Sequence, residues 1–206
     1  MAQNTGPSAS SASCLPSSPL DALRLVGDPV DVVTGAVTDR MRDFRVDGPA
    51  PVDWWRYYDS RRCHEDRGVG AGHRHGFDHR LLVDLDGLTY EHPDGTDATF
   101  LYAALDEGVA RDQGYTLEVR SQETYVVRRH AEPTLEFHLR PGAPEAQLVA
   151  VRHRDAAGAA HTLTFRHDRR GRLSELRVPG AGVVILDWGP DGHLARASLH
   201  LSLIHI

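Results

Sequence analysis

The sequence predicts an all-β protein made of antiparallel hairpins, preceded by a disordered N-terminal segment. Three observations lead to this prediction: an aromatic stretch that alternates with period two, glycine-containing turns at short intervals, and very little helical periodicity. Only residues 101–110 are ambiguous between helix and strand. Short apolar runs separated by turn residues are typical of antiparallel sheets.

The aromatic stretch, residues 52–60, is the element around which the chain is organised. It contains two of the three tryptophans, and alternation places Trp54 and Tyr58 on one face and Trp55 and Tyr57 on the other. Two prolines immediately before it exclude a helix that runs through the segment. We therefore expect a core strand with Trp54 buried, and Trp55 as the better candidate for exposure.

The remaining elements before residue 86 follow from changes in composition. Residues 1–26 are rich in Ser, Ala and Pro, have no periodicity, and are expected to be disordered. Short strands are predicted at 30–33 and 36–46, and a polar, glycine-rich loop at 60–72. A further strand is predicted over 73–85.

Turn signals then recur at short intervals along the chain. An Asp-Gly pair between apolar runs indicates a hairpin, because both turn residues tolerate a positive φ. The predicted turn pairs are Asp86-Gly87, Asp94-Gly95, Ala157-Gly158, Arg170-Gly171 and Asp191-Gly192. The strands predicted between them are 89–90, 99–102, 115–119, 125–127, 135–139, 148–151 and 163–165.

An internal repeat relates residues 164–173 to residues 185–194, with an offset of 21 residues. Phe165 aligns with Leu186, and the turn glycine of each segment aligns with that of the other. Each segment reads as a strand, a glycine-closed turn and a return strand. Stacked units of this kind bury a face only against their neighbours, so we expect the array to continue beyond residue 206 in a longer chain.

Composition limits the classes of function. The net charge of −6 does not favour a nucleic-acid partner, although residues 120–177 are locally basic. Arginines on solvated strand faces explain that basic segment better than a basic docking surface does. The two cysteines, Cys14 and Cys63, do not make a disulfide framework. The sequence predicts no membrane span and no classical signal peptide.

Four motifs, in order along residues 27–199, resemble the Rhs/YD-repeat family. The first is Gly-Asp-Pro-Val-Asp-Val-Val-Thr-Gly at 27–35, and the second is the aromatic strand. The third is the segment 70–81, in which His73 replaces the tryptophan expected in the family. The fourth is the pair of degenerate repeats, with His167-Asp168 and Trp188-Gly189 in place of the usual Tyr-Asp.

The resemblance implies a fold and a division of the chain. It implies an all-β protein whose antiparallel hairpins form part of an open, curved β-sheet shell. Residues 1–26 would be the disordered lead-in, 27–135 the N-terminal β-domain of unknown function, and 136–206 the start of the hairpin repeats. In this family such a shell encloses a C-terminal toxin domain, which is absent from this chain, so the chain would be a fragment. The family's self-cleavage motifs lie near its far C-terminal end, and no position here corresponds to them.

A cluster of potential zinc ligands lies at residues 63–79. Its members are Cys63, His64, Glu65, Asp66, His73, His75 and His79. Cysteine and histidine are the ligands that zinc prefers, but the spacing fits no closed zinc motif. We therefore predict no metal site, no cofactor and no catalytic residue.

Three other features could bind ligands. Glycines 68, 70 and 72 precede a strand rather than a helix, so we interpret them as a bend near a sheet edge and not as a phosphate cradle. Trp55 and Tyr57 could stack on a sugar ring. Arg56 lies among apolar neighbours and is expected to be paired with a carboxylate or a strand-end carbonyl.

The expected function is that of a non-enzymatic scaffold, the N-terminal portion of an Rhs/YD-repeat shell. Its expected partners are the remainder of the shell, the enclosed toxin domain and a secretion apparatus, and its expected location is secreted or at the cell surface. The alternative is a surface carbohydrate-binding or adhesive β-module. A zinc-dependent hydrolase built on the histidine cluster is a third, less favoured hypothesis.

Overall fold

The computed structural model describes residues 30–31, 34–49, 51–155 and 157–201. It contains 58% strand and 4% helix, which confirms the all-β prediction, and its sheets are open. The predicted disordered lead-in, residues 1–26, lies outside the described residues, as does the end of the chain after residue 201.

The strands of the described residues form two antiparallel sheets. In chain order they are β1 (Thr38–Val46), β2 (Val52–Asp59), β3 (His73–His75), β4 (Arg80–Val83), β5 (Gly87–Glu91), β6 (Asp97–Leu101), β7 (Val109–Asp112), β8 (Tyr115–Val119), β9 (Thr124–Arg129), β10 (Thr134–His138), β11 (Glu145–Arg154), β12 (Ala160–His167), β13 (Leu173–Val178), β14 (Gly182–Trp188) and β15 (Leu194–Leu201). One short helix, α1 (Tyr102–Leu105), lies within the ambiguous segment, and a 3₁₀ turn spans Ser60–Arg62.

The N-terminal sheet has the order β1-β2-β3, with the aromatic strand at its centre. This confirms the strand predicted at 52–60, and β1 matches most of the strand predicted at 36–46. The strand predicted at 30–33 is represented only by a single bridge from Val30 to Val37, and residues 32–33 lie outside the described part of the chain.

The prediction of one strand over 73–85 is wrong, because this segment is divided between the two sheets. β3 ends at His75 in the N-terminal sheet, and β4 begins at Arg80 in the large sheet. Gly76 donates a backbone hydrogen bond to Trp55 at 2.7 Å, and the chain then leaves the N-terminal sheet. We call residues 76–79 the crossover.

The large sheet is a meander of nine strands, β7 to β15, in which each strand pairs with the next. β11 is also a branch point, because its first residues, Glu145 and Ala146, pair with β4 of the β4-β5-β6 group. Between this group and β7–β10, the rings of Tyr90, Tyr115 and Phe137 pack as a buried aromatic core. The domain boundary predicted at residues 135/136 lies within β10, so the sheet is continuous across it.

The two predicted repeats have the same backbone hydrogen bonds. Asp168 N–H donates to Arg172 O in the first turn, and Gly189 N–H donates to His193 O in the second, both at 2.8 Å. Each repeat also has a bulge at the equivalent place, at residues 166/167 in β12 and 187/188 in β14. The aligned residues Phe165 and Leu186 are both buried, so the repeats share one core face of the sheet.

The predicted turn geometry is only partly right. Glycines 95, 158, 171 and 192 have positive φ. The residue before each of them does not, because among the described non-glycine residues only Gln113 and Ala131 have positive φ. These turns therefore need one left-handed residue rather than two. Gly87 instead lies within β5, where a Cβ atom would collide with the carbonyl oxygen of Phe100.

Candidate functional site

The seam between the two sheets is the first candidate site, and aromatic side chains hold it together. Trp54, 1% exposed, stacks on Phe44 and His75, with ring centroids 5.4 and 4.9 Å away. Phe77 in the crossover touches Trp54 on one side and Phe165 of the first repeat on the other, at 5.7 and 5.2 Å. Trp54 is therefore buried as predicted, and Phe77 connects the aromatic strand to the repeats.

The loop after β2 forms a second part of the seam, against the second repeat. Asp66 accepts a hydrogen bond from His193 at 2.9 Å, and the backbone of Leu194 donates to Gly68 at 2.7 Å. A Cβ atom on Gly68 would lie 2.6 Å from the ring of Trp188. This close approach explains one of the three glycines at 68, 70 and 72, which do form a bend as expected.

Charged side chains join the two sheets beside the aromatic contacts. Arg74 of β3, whose side chain is 4% exposed, donates to Glu65 at 2.9 Å and to Glu91 of β5 at 3.1 Å. Arg80 of β4 contacts the same Glu91 and also Glu145 of β11. Burial opposes ionisation of Glu65, but the hydrogen bond and the charge of Arg74, together with the charges of Arg62 and Arg67, outweigh it and lower the pKa of Glu65. Arg74 is therefore a buried charge that holds two carboxylates, and one of them, Glu91, is shared with Arg80.

The open edge of the large sheet is the second candidate site. Paired residues of neighbouring strands share a face, so Leu199 lies on the same face as its partner Val184, and Leu201 on the same face as Gly182. Val184 and Gly182 are buried, whereas Leu199 and Leu201 are 45% and 67% exposed. The apolar core face therefore extends onto β15, where nothing in the described part of the chain covers it.

A cleft between β2 and strands β10–β12 is the third candidate site. Its volume is about 850 Å³, and Trp55, Phe77 and Leu163 are among the apolar residues that line it, with Asp53 among the polar ones. Trp55 is half-buried, and the guanidinium of Arg40 lies 3.8 Å from its ring centroid. The predicted exposure of Trp55 is therefore reduced by an arginine stacked on the indole.

Arg56, on the same strand, has the carboxylate partner that its position requires. Its Nε and Nη2 atoms donate to Asp43 of β1 at 2.7 and 2.8 Å. The hydrogen bond to Asp43 outweighs the effect of burial and raises the pKa of Arg56. The pair links adjacent strands, which is a structural role.

The structure disperses the possible zinc ligands of residues 63–79. His75 is buried, with Nδ1 accepting from the backbone of Phe77, while His79 contacts the hydroxyl of Tyr90 at 2.8 Å. Burial lowers the pKa of His75, and lowers that of His79 well below the usual value. Cys63 is exposed. Within the described ranges, no three His, Cys, Asp or Glu side chains converge as a metal site would need.

Some contacts at the seam could not be identified from the sequence. Asp66 and His193 are 127 positions apart, and neither belongs to a local motif that would suggest the pair. Phe77 and Phe165 are similarly distant in sequence. The only local signal was the glycine-rich bend, which indicated a close approach of backbone but not its partner.

The comparisons with known proteins concern the first part of the chain. Residues 27–100 match DUF6531, a domain of unknown function. This segment includes the N-terminal sheet, the crossover and the β4-β5 hairpin, and it stops within β6. A search of curated proteins found no match. Across the described residues, no helix is long and apolar enough to cross a membrane.

Proposed function

We propose that the chain is a non-enzymatic scaffold, the N-terminal portion of an Rhs/YD-repeat β-shell. In this proposal, hairpins that continue the meander pair with β15, and the completed shell encloses and helps to deliver a C-terminal toxin domain. The remainder of that shell and the enclosed toxin are the proposed partners.

One observation carries the proposal: the apolar face of β14 continues onto β15, and no described residue covers it there. An edge strand with exposed leucines and free backbone groups readily pairs with another strand. Another hairpin of the repeat type would provide both the missing hydrogen bonds and the missing cover. The identical turns of the two repeats support this, because stacked repeats obtain their stability from their neighbours.

Self-association tests the proposal. Residues 27–206 are expected to associate reversibly through β15 in analytical ultracentrifugation. A Leu199→Lys/Leu201→Lys variant should stay monomeric, because charges on an edge strand disfavour pairing. The control, Ala103→Lys/Ala104→Lys, adds the same charge on the exposed helix α1 and should associate like the unmodified protein. A monomer at every concentration of the unmodified protein would contradict the proposal.

The cleft supports a second candidate function, carbohydrate binding. Trp55 and Asp53 line it together, and an aromatic ring beside a carboxylate is an arrangement that can hold a sugar through stacking and hydrogen bonds. On a glycan array, binding that is lost in Trp55→Ala but kept in Tyr102→Ala, an exposed aromatic outside the cleft, would favour this function. No binding, or equal loss in both variants, would exclude it.

A further inference from the structure

A separate, polar cavity of about 290 Å³ lies where three parts of the chain meet. One wall comes from Arg67 and from Asp78 of the crossover, the second from the β10–β11 loop with Arg140, and the third from the first repeat turn with Arg170 and Arg172. None of these residues takes part in the cleft that Trp55 lines.

The walls of this cavity carry excess positive charge. Four arginines line it, against the two carboxylates Asp78 and Glu145, which leaves two positive charges in excess. The nearest charged partners outside the lining leave this balance unchanged. Arg80, which binds Glu145, adds one positive charge, and Asp168, which binds Arg172, adds one negative charge. Arg140 and Arg170 are exposed and form no salt bridge within the described residues.

Arg172 is a fixed hydrogen-bond donor in this cavity. Its Nε and Nη2 atoms hold Asp168 at 2.8 and 2.7 Å, and its guanidinium lies 5.1 Å from the ring centroid of Trp188. The remaining nitrogen, Nη1, is buried and has no hydrogen-bond partner among the described residues. A buried, charged donor is rarely left unpaired in a protein, so this atom indicates that something outside the chain binds it.

The three histidines in the lining, His75, His79 and His167, are neutral at neutral pH, and burial lowers the pKa of His79 well below its usual value. Burial, followed by the proximity of His75, lowers the pKa of His167 to about 4, and burial also lowers the pKa of His75. The positive charge of the cavity at neutral pH therefore comes from its arginines, and the imidazoles contribute hydrogen-bonding groups only.

We propose that this cavity binds a tetrahedral oxyanion, a phosphoryl or sulfuryl group, through Arg172 Nη1 with Arg140 and Arg170 closing over it. Arginine forks suit such groups because they place several donors on adjacent oxygens. The bound anion would connect the crossover, the β10–β11 loop and the first repeat turn, and thereby strengthen the seam. A cavity filled with water alone is the competing explanation.

Isothermal titration calorimetry of the full chain with inorganic phosphate and with sulfate, at low salt, tests the proposal. The unmodified protein should bind, and Arg140→Gln/Arg170→Gln should bind at least about tenfold more weakly, because it loses two cationic contacts. The control Arg111→Gln/Arg196→Gln removes the same charge from exposed positions outside the cavity and should bind within about twofold of the unmodified protein.

Asp78→Asn gives a second measurement that does not depend on the arginine variants. Its Oδ2 atom is buried, accepts no hydrogen bond from the described residues and lies 3.9 Å from Arg67 Nε, and its negative charge would repel a bound anion. Removing that charge should tighten phosphate binding by about threefold or more. No heat of binding in the unmodified protein, equal weakening in the control, or no tightening in Asp78→Asn would overturn the proposal. Stronger binding of phosphate than of sulfate would identify the phosphoryl group as the preferred ligand.

Discussion

Replacing Gly68 by alanine measures how tightly the N-terminal sheet is docked on the repeats. Gly68 has a φ of +81°, which costs an alanine about 1 kcal/mol in strain. Its new Cβ atom would also lie 2.6 Å from both the Trp188 ring and the carbonyl oxygen of Gly192. Relieving such overpacking costs about 1–3 kcal/mol. The expected loss in the free energy of unfolding is therefore about 2–4 kcal/mol.

Gly108→Ala is the matched control, because its φ is +79° and no atom of the described residues lies within 4 Å of the added Cβ. It should lose only the strain, about 1 kcal/mol. Urea unfolding followed by tryptophan fluorescence compares the two variants with the unmodified protein. Equal losses would show that the Gly68 loop does not pack on the second repeat, and the described seam would then be incorrect.

Three further predictions concern the same region. In urea titrations, Trp54→Ala should lower the free energy of unfolding by about 3–5 kcal/mol and Trp55→Ala by about 1 kcal/mol. A larger loss in Trp55→Ala than in Trp54→Ala would show that the Trp55 face of the strand, and not the Trp54 face, is the buried one. Arg74→Gln should cost about 1.5–3 kcal/mol by the same assay because it removes charged hydrogen bonds to Glu65 and Glu91, and a loss below about 0.5 kcal/mol would argue against that network. The hydrogen bond to Asp66 raises the pKa of His193 above its usual 6.5. The pair therefore stabilises the fold fully below pH 6.5, and this stabilisation is lost as the pH rises through the folded-state pKa of His193. Unfolding midpoints measured from pH 5 to 9 should show this decline, and His193→Gln should lack it; an equal decline in the variant would rule the pair out.

The sequence was most informative where local pattern decides structure. The aromatic strand could be predicted because its period-two alternation is a property of the strand itself, and Trp54 is buried as expected. The repeat alignment also located equivalent turns correctly, since each requires a left-handed glycine. These features need no knowledge of the rest of the molecule.

The features that depend on tertiary contacts could not be predicted in the same way. The break between β3 and β4 occurs because Phe77 packs between the two sheets, whereas the sequence around it still alternates like one strand. The polar cavity brings together Arg67, Arg140 and Arg172 from separate segments. The spacing of these residues in the sequence does not reveal the cavity, because they come together only in the folded chain.

Hydrogen exchange along β15, measured over a range of protein concentrations, tests the scaffold proposal most directly. If β15 is an edge that accepts further strands, the amides of Leu194–Leu201 should become more protected as concentration rises, while those of the buried strand β13 stay unchanged. The Leu199→Lys/Leu201→Lys variant should show no such increase. Protection of β15 that does not change with concentration in the unmodified protein would contradict the account.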